Sequence, residues 1–197
     1  HKEYRRQRQM CIRDSNTVNA KTTGLVTADT VATITGTYAA LDSFQTAEAA
    51  SEVSIGDDEA ITVTDTNITV AEFNDINDLT SGVVTATIED QTLSNLGSLE
   101  ETGNALTVVV SDTGSTVSAS ALNALDAKTT VAVDATAAAG FSGALSDLVT
   151  LSGAIGSTVT ITGNETIALT DTGSVAVADI NTVNAKTTGL VTADTVA

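Results

Sequence analysis

The stretch NTVNAKTTGLVTADTVA, Asn16–Ala32, returns unchanged as Asn181–Ala197. Seventeen identical residues 165 positions apart do not recur by chance. The expectation is a chain that holds slightly more than one turn of a long repeat cycle and belongs to a larger array. Diverged copies lie inside the cycle: Thr69–Ala86, Ser118–Ala135 and Ala176–Ala193 align without a gap. Their apolar positions correspond as Phe73, Leu122 and Ile180, then Ile76, Leu125 and Val183. An asparagine follows the first of each set, at Asn74, Asn123 and Asn181, with Asn16 opening the series. The asparagines stand 58, 49 and 58 residues apart, so the cycle divides into three units of 49–58 residues.

Each unit carries a second, looser half. Leu41-Phe44-Ala47, Leu93-Leu96-Leu99 and Leu145-Leu148-Leu151 repeat an i, i+3, i+6 spacing, which keeps side chains on one face of a short helix. An elementary coil of roughly 24–29 residues follows, within the range of stacked repeats. It reads as a β-strand, a polar turn, one or two helical turns and a Gly/Ser/Thr turn. One such coil cannot bury its apolar face alone, so coils must stack on one another. The fold expected for residues 16–197 is therefore mainly β with short helical turns: a single stacked-coil solenoid, of the parallel β or the α/β type. Tandem immunoglobulin-like β-sandwiches are the rival, although 49–58 residues is short against the roughly 100 of such a domain.

Composition points the same way. The 197 residues contain no Pro and no Trp, and only 3% are aromatic, too few to fill an irregular globular core. Charge divides sharply at the start. Residues 1–14 hold five of the eight basic residues, the one His and the one Cys. The rest of the chain sets Lys21, Lys128 and Lys186 against 23 acids, a body near −20. That field disfavours nucleic acid and anionic membrane as partners, and no hydrophobic run reaches the length of a membrane span. The partners expected are neighbouring repeats of a parent chain. Residues 1–15 stand apart, since Ser15 falls where the motif has Ile180. The run Met10–Ser15 resembles the translation of an adapter used in sequencing libraries, so 1–15 is expected to be a non-native or disordered leader. A basic nucleic-acid-binding arm is the functional alternative.

Within the body, strands are expected over the second part of 52–66 and at 83–88, 106–110, 158–162 and 167–170, where β-branched residues alternate or cluster. A helix is expected over 38–51, capped by Thr37. Gly24, Gly82, Gly103, Gly163 and Gly189 sit at strand edges, where turns call for positive φ.

Chemistry is sparse. The body has neither His nor Cys, which removes Ser-His and Cys-His nucleophiles and ordinary zinc ligands. No catalytic residue and no cofactor is expected. Asp65, Asp112 and Asp171 end β-branched runs in Asp-Thr pairs, and Asp57, Asp58 and Glu59 form the densest acidic turn. Asp57, Asp58, Asp65, Asp112 and Asp171 are the candidate Ca²⁺ ligands, hard oxygens for a hard cation. The plainer reading makes the Asp-Thr pairs caps of the helical turns that follow them. The recurring asparagines read as an interior row bonded to the backbone of the adjacent coil.

The motifs ALNALDAKTT (121–130), DINTVNAKTTGLVTA (179–193) and ATITGT (32–37) give the body a style that resembles the Thr/Ala/Asp-rich tandem arrays of giant surface and secreted proteins of marine bacteria. The resemblance covers 16–197 and implies an exported, extracellular or cell-surface structural segment, adhesin-like. A cation-dependent binding module is the second reading and a carbohydrate-active β-helix the third.

Overall fold

A computed structural model describes residues 9–193, with side chains from residue 16 onward. The elements in order are β1 (Gln9–Cys11), α1 (Ile12–Asn19), β2 (Val26–Thr27), β3 (Thr33–Gly36), α2 (Tyr38–Ala49), β4 (Val53–Ser54), β5 (Ala60–Val63), α3 (Val70–Asn77), β6 (Val84–Thr87) and α4 (Leu93–Leu96). There follow β7 (Ala105–Thr107), β8 (Thr116–Ser118), α5 (Ala119–Asp126), β9 (Val133–Asp134), β10 (Gly140–Gly143), α6 (Leu145–Ala154), β11 (Val159–Thr160), β12 (Thr166–Leu169), α7 (Val177–Asn184) and β13 (Val191–Thr192). Of the leader, residues 1–8 lie outside the described residues, and Gln9–Cys11 run parallel to Thr33–Thr35.

The chain forms two compact units, one of residues up to Glu89 with Gly103–Leu106, the other of Asp90–Thr102 with Thr107 onward. In the first, a five-stranded sheet has the order β1-β3-β5-β6-β7, beside the pair β2-β4. Helices α1, α2 and α3 pack in succession. In the second, β13-β12-β10-β8 form a sheet beside the pair β11-β9, and α4 to α7 pack in succession.

Every strand pair whose register is defined is parallel, and each joins residues one coil apart. Thr33 faces Ala60, Ile61 faces Val84, Gly140 faces Thr166 and Ile167 faces Val191, steps of 23–27 residues. Two of the sequence expectations need correction here. Helix accounts for 30% and strand for 25%, so the class is mixed α/β with parallel sheets, not mainly β. Immunoglobulin-like sandwiches are antiparallel, and the parallel ladders exclude them for the described strands. The helical share rose because the apolar i, i+3, i+6 positions extend into helices of 8–12 residues in six of the seven cases.

The aligned copies fold alike. α3, α5 and α7 occupy the same eight positions of the three copies, and α1 stands 165 residues before α7. Val26, Val84, Val133 and Val191, equivalent in the repeat, each begin a strand. The looser half is equally regular in packing: Leu41, Phe44 and Ala47 are buried, as are Leu93-Leu96-Leu99 and Leu145-Leu148-Leu151. Burial of the Leu and Phe side chains, worth about 1.5–3 kcal/mol each, is what fixes the helices against the strands. Strands are shorter than their β-branched runs: the run at 158–162 yields only Val159–Thr160.

Candidate functional site

The polar residues that recur in the sequence bond to the backbone of neighbouring repeats. Asp65 Oδ2 accepts the backbone N–H of Tyr38 at 2.6 Å, Asp112 Oδ2 that of Leu93 at 2.6 Å, and Asp171 Oδ2 that of Leu145 at 2.7 Å. Each donor is the first residue of a helix, α2, α4 or α6. These N–H groups are orphans of a helix start, and a carboxylate there also meets the positive end of the helix dipole. The aspartates are therefore caps, but of the helix one coil back; Thr69 and Ser118, at other positions, cap α3 and α5, which follow Asp65 and Asp112. In α2 and α4 the N-cap threonine also serves, Thr37 accepting from Ala40 N and Thr92 from Asn95 N. In α6 the N-cap is Ala144, with no side-chain bond, so Asp171 is the side chain that serves that end.

The asparagine row is half-buried at Asn16, Asn74 and Asn123 and exposed at Asn181, which corrects the interior reading. Their bonds nevertheless run to the neighbouring backbone. Asn16 Nδ2 donates to Ala40 O at 3.1 Å and Asn123 Nδ2 to Asp147 O at 2.9 Å, the same relationship in two units.

A Thr-x-Gly element supplies a third seam. Thr80 Oγ1 accepts the Gly82 N–H and donates to Glu59 O; Thr187 does the same between Gly189 and Glu165 O. Of the glycines expected to have positive φ, Gly103 and Gly163 have it, while Gly24, Gly82 and Gly189 do not. At Gly82 and Gly189 the role is close approach. A Cβ at Gly82 would lie 2.7 Å from Asp58 O, and one at Gly189 2.6 Å from Asn164 O, with the next carbonyl closer still in both.

Beneath these turns lie Glu59, which the sequence marks as part of its densest acidic turn, and a second buried carboxylate and an amide pair that it does not single out. Glu165 accepts the Thr162 and Gly163 N–H groups at 2.6 and 2.8 Å and the Thr162 hydroxyl at 2.5 Å. Burial alone would raise its pKa, but these bonds outweigh it and hold the carboxyl below its ordinary value. Glu59 takes one N–H, from Gly56 at 2.6 Å, while its buried Oε2 has no hydrogen-bond partner. Asn104, likewise two residues before a buried strand residue, accepts from Val84 N and donates to Asn77 Oδ1 at 2.9 Å. The available signal was positional: Glu59, Asn104 and Glu165 precede Ile61, Leu106 and Ile167 by the same step.

The candidate Ca²⁺ ligands are thus dispersed. Asp65, Asp112 and Asp171 sit on separate helix starts, and only Asp57 and Asp58 share a turn. Among the described residues no three His, Cys, Asp or Glu side chains are grouped to hold a metal ion. No described helix is long and apolar enough to cross a membrane. The chain matches no family model, and no curated protein and no solved structure matches it.

Proposed function

We propose that the chain is a non-catalytic structural repeat segment, an α/β-solenoid that serves as a stalk or extended surface of an exported, adhesin-like protein. The observation that carries this reading is the employment of its recurring polar side chains. Asp65, Asp112, Asp171, Asn16, Asn123, Thr80 and Thr187 all bond backbone one coil away. Within each unit, polar groups committed to such bonding tie each repeat to the next through backbone and side-chain bonds, which is the mechanics a spacer requires. The test is length. Concatenating 165-residue cycles of six coils should extend the molecule by about 29 Å per cycle, at about 4.8 Å per parallel strand step. Scattering or imaging that gave a compact particle of unchanged length would refute a stalk.

A cation-dependent binding module is the second reading, favoured by the acidic Gly56–Glu59 turn. There Asp29 O, Asp58 Oδ1 and Glu59 Oε1 all lie within 3.4 Å of the point where a Gly56 Cβ would stand. A melting temperature that rises in millimolar Ca²⁺ above that at matched ionic strength would favour this module; an unchanged one would remove it.

A further inference from the structure

We propose that the Gly56–Glu59 turn and Asp29 form a single Ca²⁺ site in the first unit, built on the buried Glu59 carboxylate with the Asp58 carboxylate and the Asp29 carbonyl beside it. The assignment deepens the cation-dependent reading given above and rests on it. Glu59 Oε1, Asp29 O and Asp58 Oδ1 lie 3.0, 3.1 and 3.4 Å from the point where a Gly56 Cβ would stand, so oxygens of two coils gather in one place. All these residues belong to one compact unit. Glu59 is 1% exposed, and its Oε2 has no hydrogen-bond partner. A buried carboxylate oxygen without a donor carries a desolvation penalty that a coordinated cation removes. Among the described residues no donor reaches Asp29 O or Asp58 Oδ1 either.

The equivalent turn of the second unit closes the same frame without an ion. Thr162, Gly163, Asn164 and Glu165 stand where Gly56, Asp57, Asp58 and Glu59 do, at the same step before Ile167 and Ile61. Both oxygens of Glu165 are used: Oε1 takes the N–H and the hydroxyl of Thr162, and Oε2 takes the Gly163 N–H. At Glu59 the hydroxyl is gone, because Gly56 stands in place of Thr162, and only the Gly56 N–H remains, at 2.6 Å. Asp58 in place of Asn164 adds a charge to the turn that has lost its donors. The corresponding position before Leu106 is the neutral Asn104, which is fully engaged with Val84 and Asn77. Only the first turn thus combines a surplus of negative charge with a deficit of donors. No described Lys or Arg side chain pairs with Asp29, Asp58 or Glu59 to correct it.

The turn is also held in place before any ion arrives. The Ser81 N–H and hydroxyl donate to Asp57 O at 2.7 and 2.8 Å, and the Thr80 hydroxyl donates to Glu59 O at 2.6 Å. Asp29 is fixed through its Oδ1, which accepts the Ser54 hydroxyl at 2.6 Å. The backbone carbonyls of the turn are consumed by these bonds, and the carboxylates are left for a ligand. Every available atom is oxygen, which selects a hard cation. The site draws on two acidic side chains and one backbone oxygen, not on a group of three acids. Asp58 and Asp29 are exposed, so water completes the coordination sphere. Ca²⁺ accepts such an irregular sphere, whereas Mg²⁺ demands a near-octahedral one. With so few protein ligands the affinity belongs at the weak end of calcium sites, a Kd of about 0.1–1 mM.

Calorimetric titration of the full chain with CaCl₂ at constant ionic strength tests the site. A single Ca²⁺ should bind per chain, and MgCl₂ should bind more weakly. Glu59→Gln and Asp58→Asn should each weaken Ca²⁺ binding about tenfold or more, since each removes a charged ligand. Glu165→Gln, in the closed turn, should leave it unchanged. Circular dichroism in chelator establishes that each variant is folded; Asp58 is exposed, so its variant decides the matter even where Glu59→Gln does not fold. Ca²⁺ bound equally by the parent, Glu59→Gln and Asp58→Asn overturns this site while a cation-dependent module stands. Binding that Mg²⁺ matches and no variant alters overturns it as diffuse attraction to an acidic body. No binding at millimolar Ca²⁺, with an unchanged melting temperature, overturns the site and the module together.

Discussion

The carboxylate of Asp171 holds the first N–H of α6, that of Leu145, at 2.7 Å from a position 26 residues later in the chain. This single bond ties a helix start to the end of the next strand, and the N-cap residue Ala144 offers no side-chain substitute. Asp171→Ala should therefore lower stability by about 1–2 kcal/mol. Asp65→Ala and Asp112→Ala should lose less, since Thr37 and Thr92 continue to serve their helices. Denaturant titrations of the three variants decide this; equal midpoints for Asp171→Ala and the parent would refute the cap.

Gly82→Ala should cost about 1–3 kcal/mol, because its Cβ would press on the Asp58 and Glu59 carbonyls and part the seam. Gly153→Ala provides the opposite sign. Nothing lies within 4 Å of a Cβ there, on α6, and alanine should stabilise the helix by about 0.5–1 kcal/mol. Thermal melts that moved both variants the same way would contradict the close-approach role of Gly82.

Glu165 makes stability depend on acid. Its folded pKa is depressed, so its contribution is present above the unfolded value of 4.5 and is lost as pH falls through the folded value. Glu165→Gln should flatten stability against pH on the acid side and destabilise near neutrality. Glu59→Gln should be much milder at neutral pH, because it removes a buried charge whose Oε2 is unpartnered. Paired pH titrations of unfolding, with identical acid slopes for Glu165→Gln and the parent as the refuting result, measure this directly.

Leu125 is 1% exposed in the last turn of α5, so Leu125→Asp would bury an unpaired charge and should unfold the unit around it. Retained circular dichroism and an unchanged melt would contradict its inward placement.

Much of the fold was legible in the sequence because the repeat samples the same local problem several times. Leu41-Phe44-Ala47 and its two counterparts marked buried helix faces, and Thr37 marked a helix start, since both signals act within one turn. The seams were less legible. Asp171 and Leu145, or Thr187 and Glu165, meet only after coils stack, and no local rule links residues more than 20 positions apart. The aspartates were thus assigned to the helices that follow them. The glycines at 82 and 189 were likewise read as turn formers, because close approach of a neighbouring carbonyl leaves no mark in the adjacent residues.

The backward reach of these caps has a consequence for how the chain is made. During synthesis the N-terminal residues emerge first, and Leu145 leaves the ribosome well before Asp171. The starts of α2, α4 and α6 lack the carboxylate acceptor for their first N–H until Asp65, Asp112 and Asp171 have been translated. A chain that ended before Asp171 would leave the first N–H of α6 without its carboxylate acceptor.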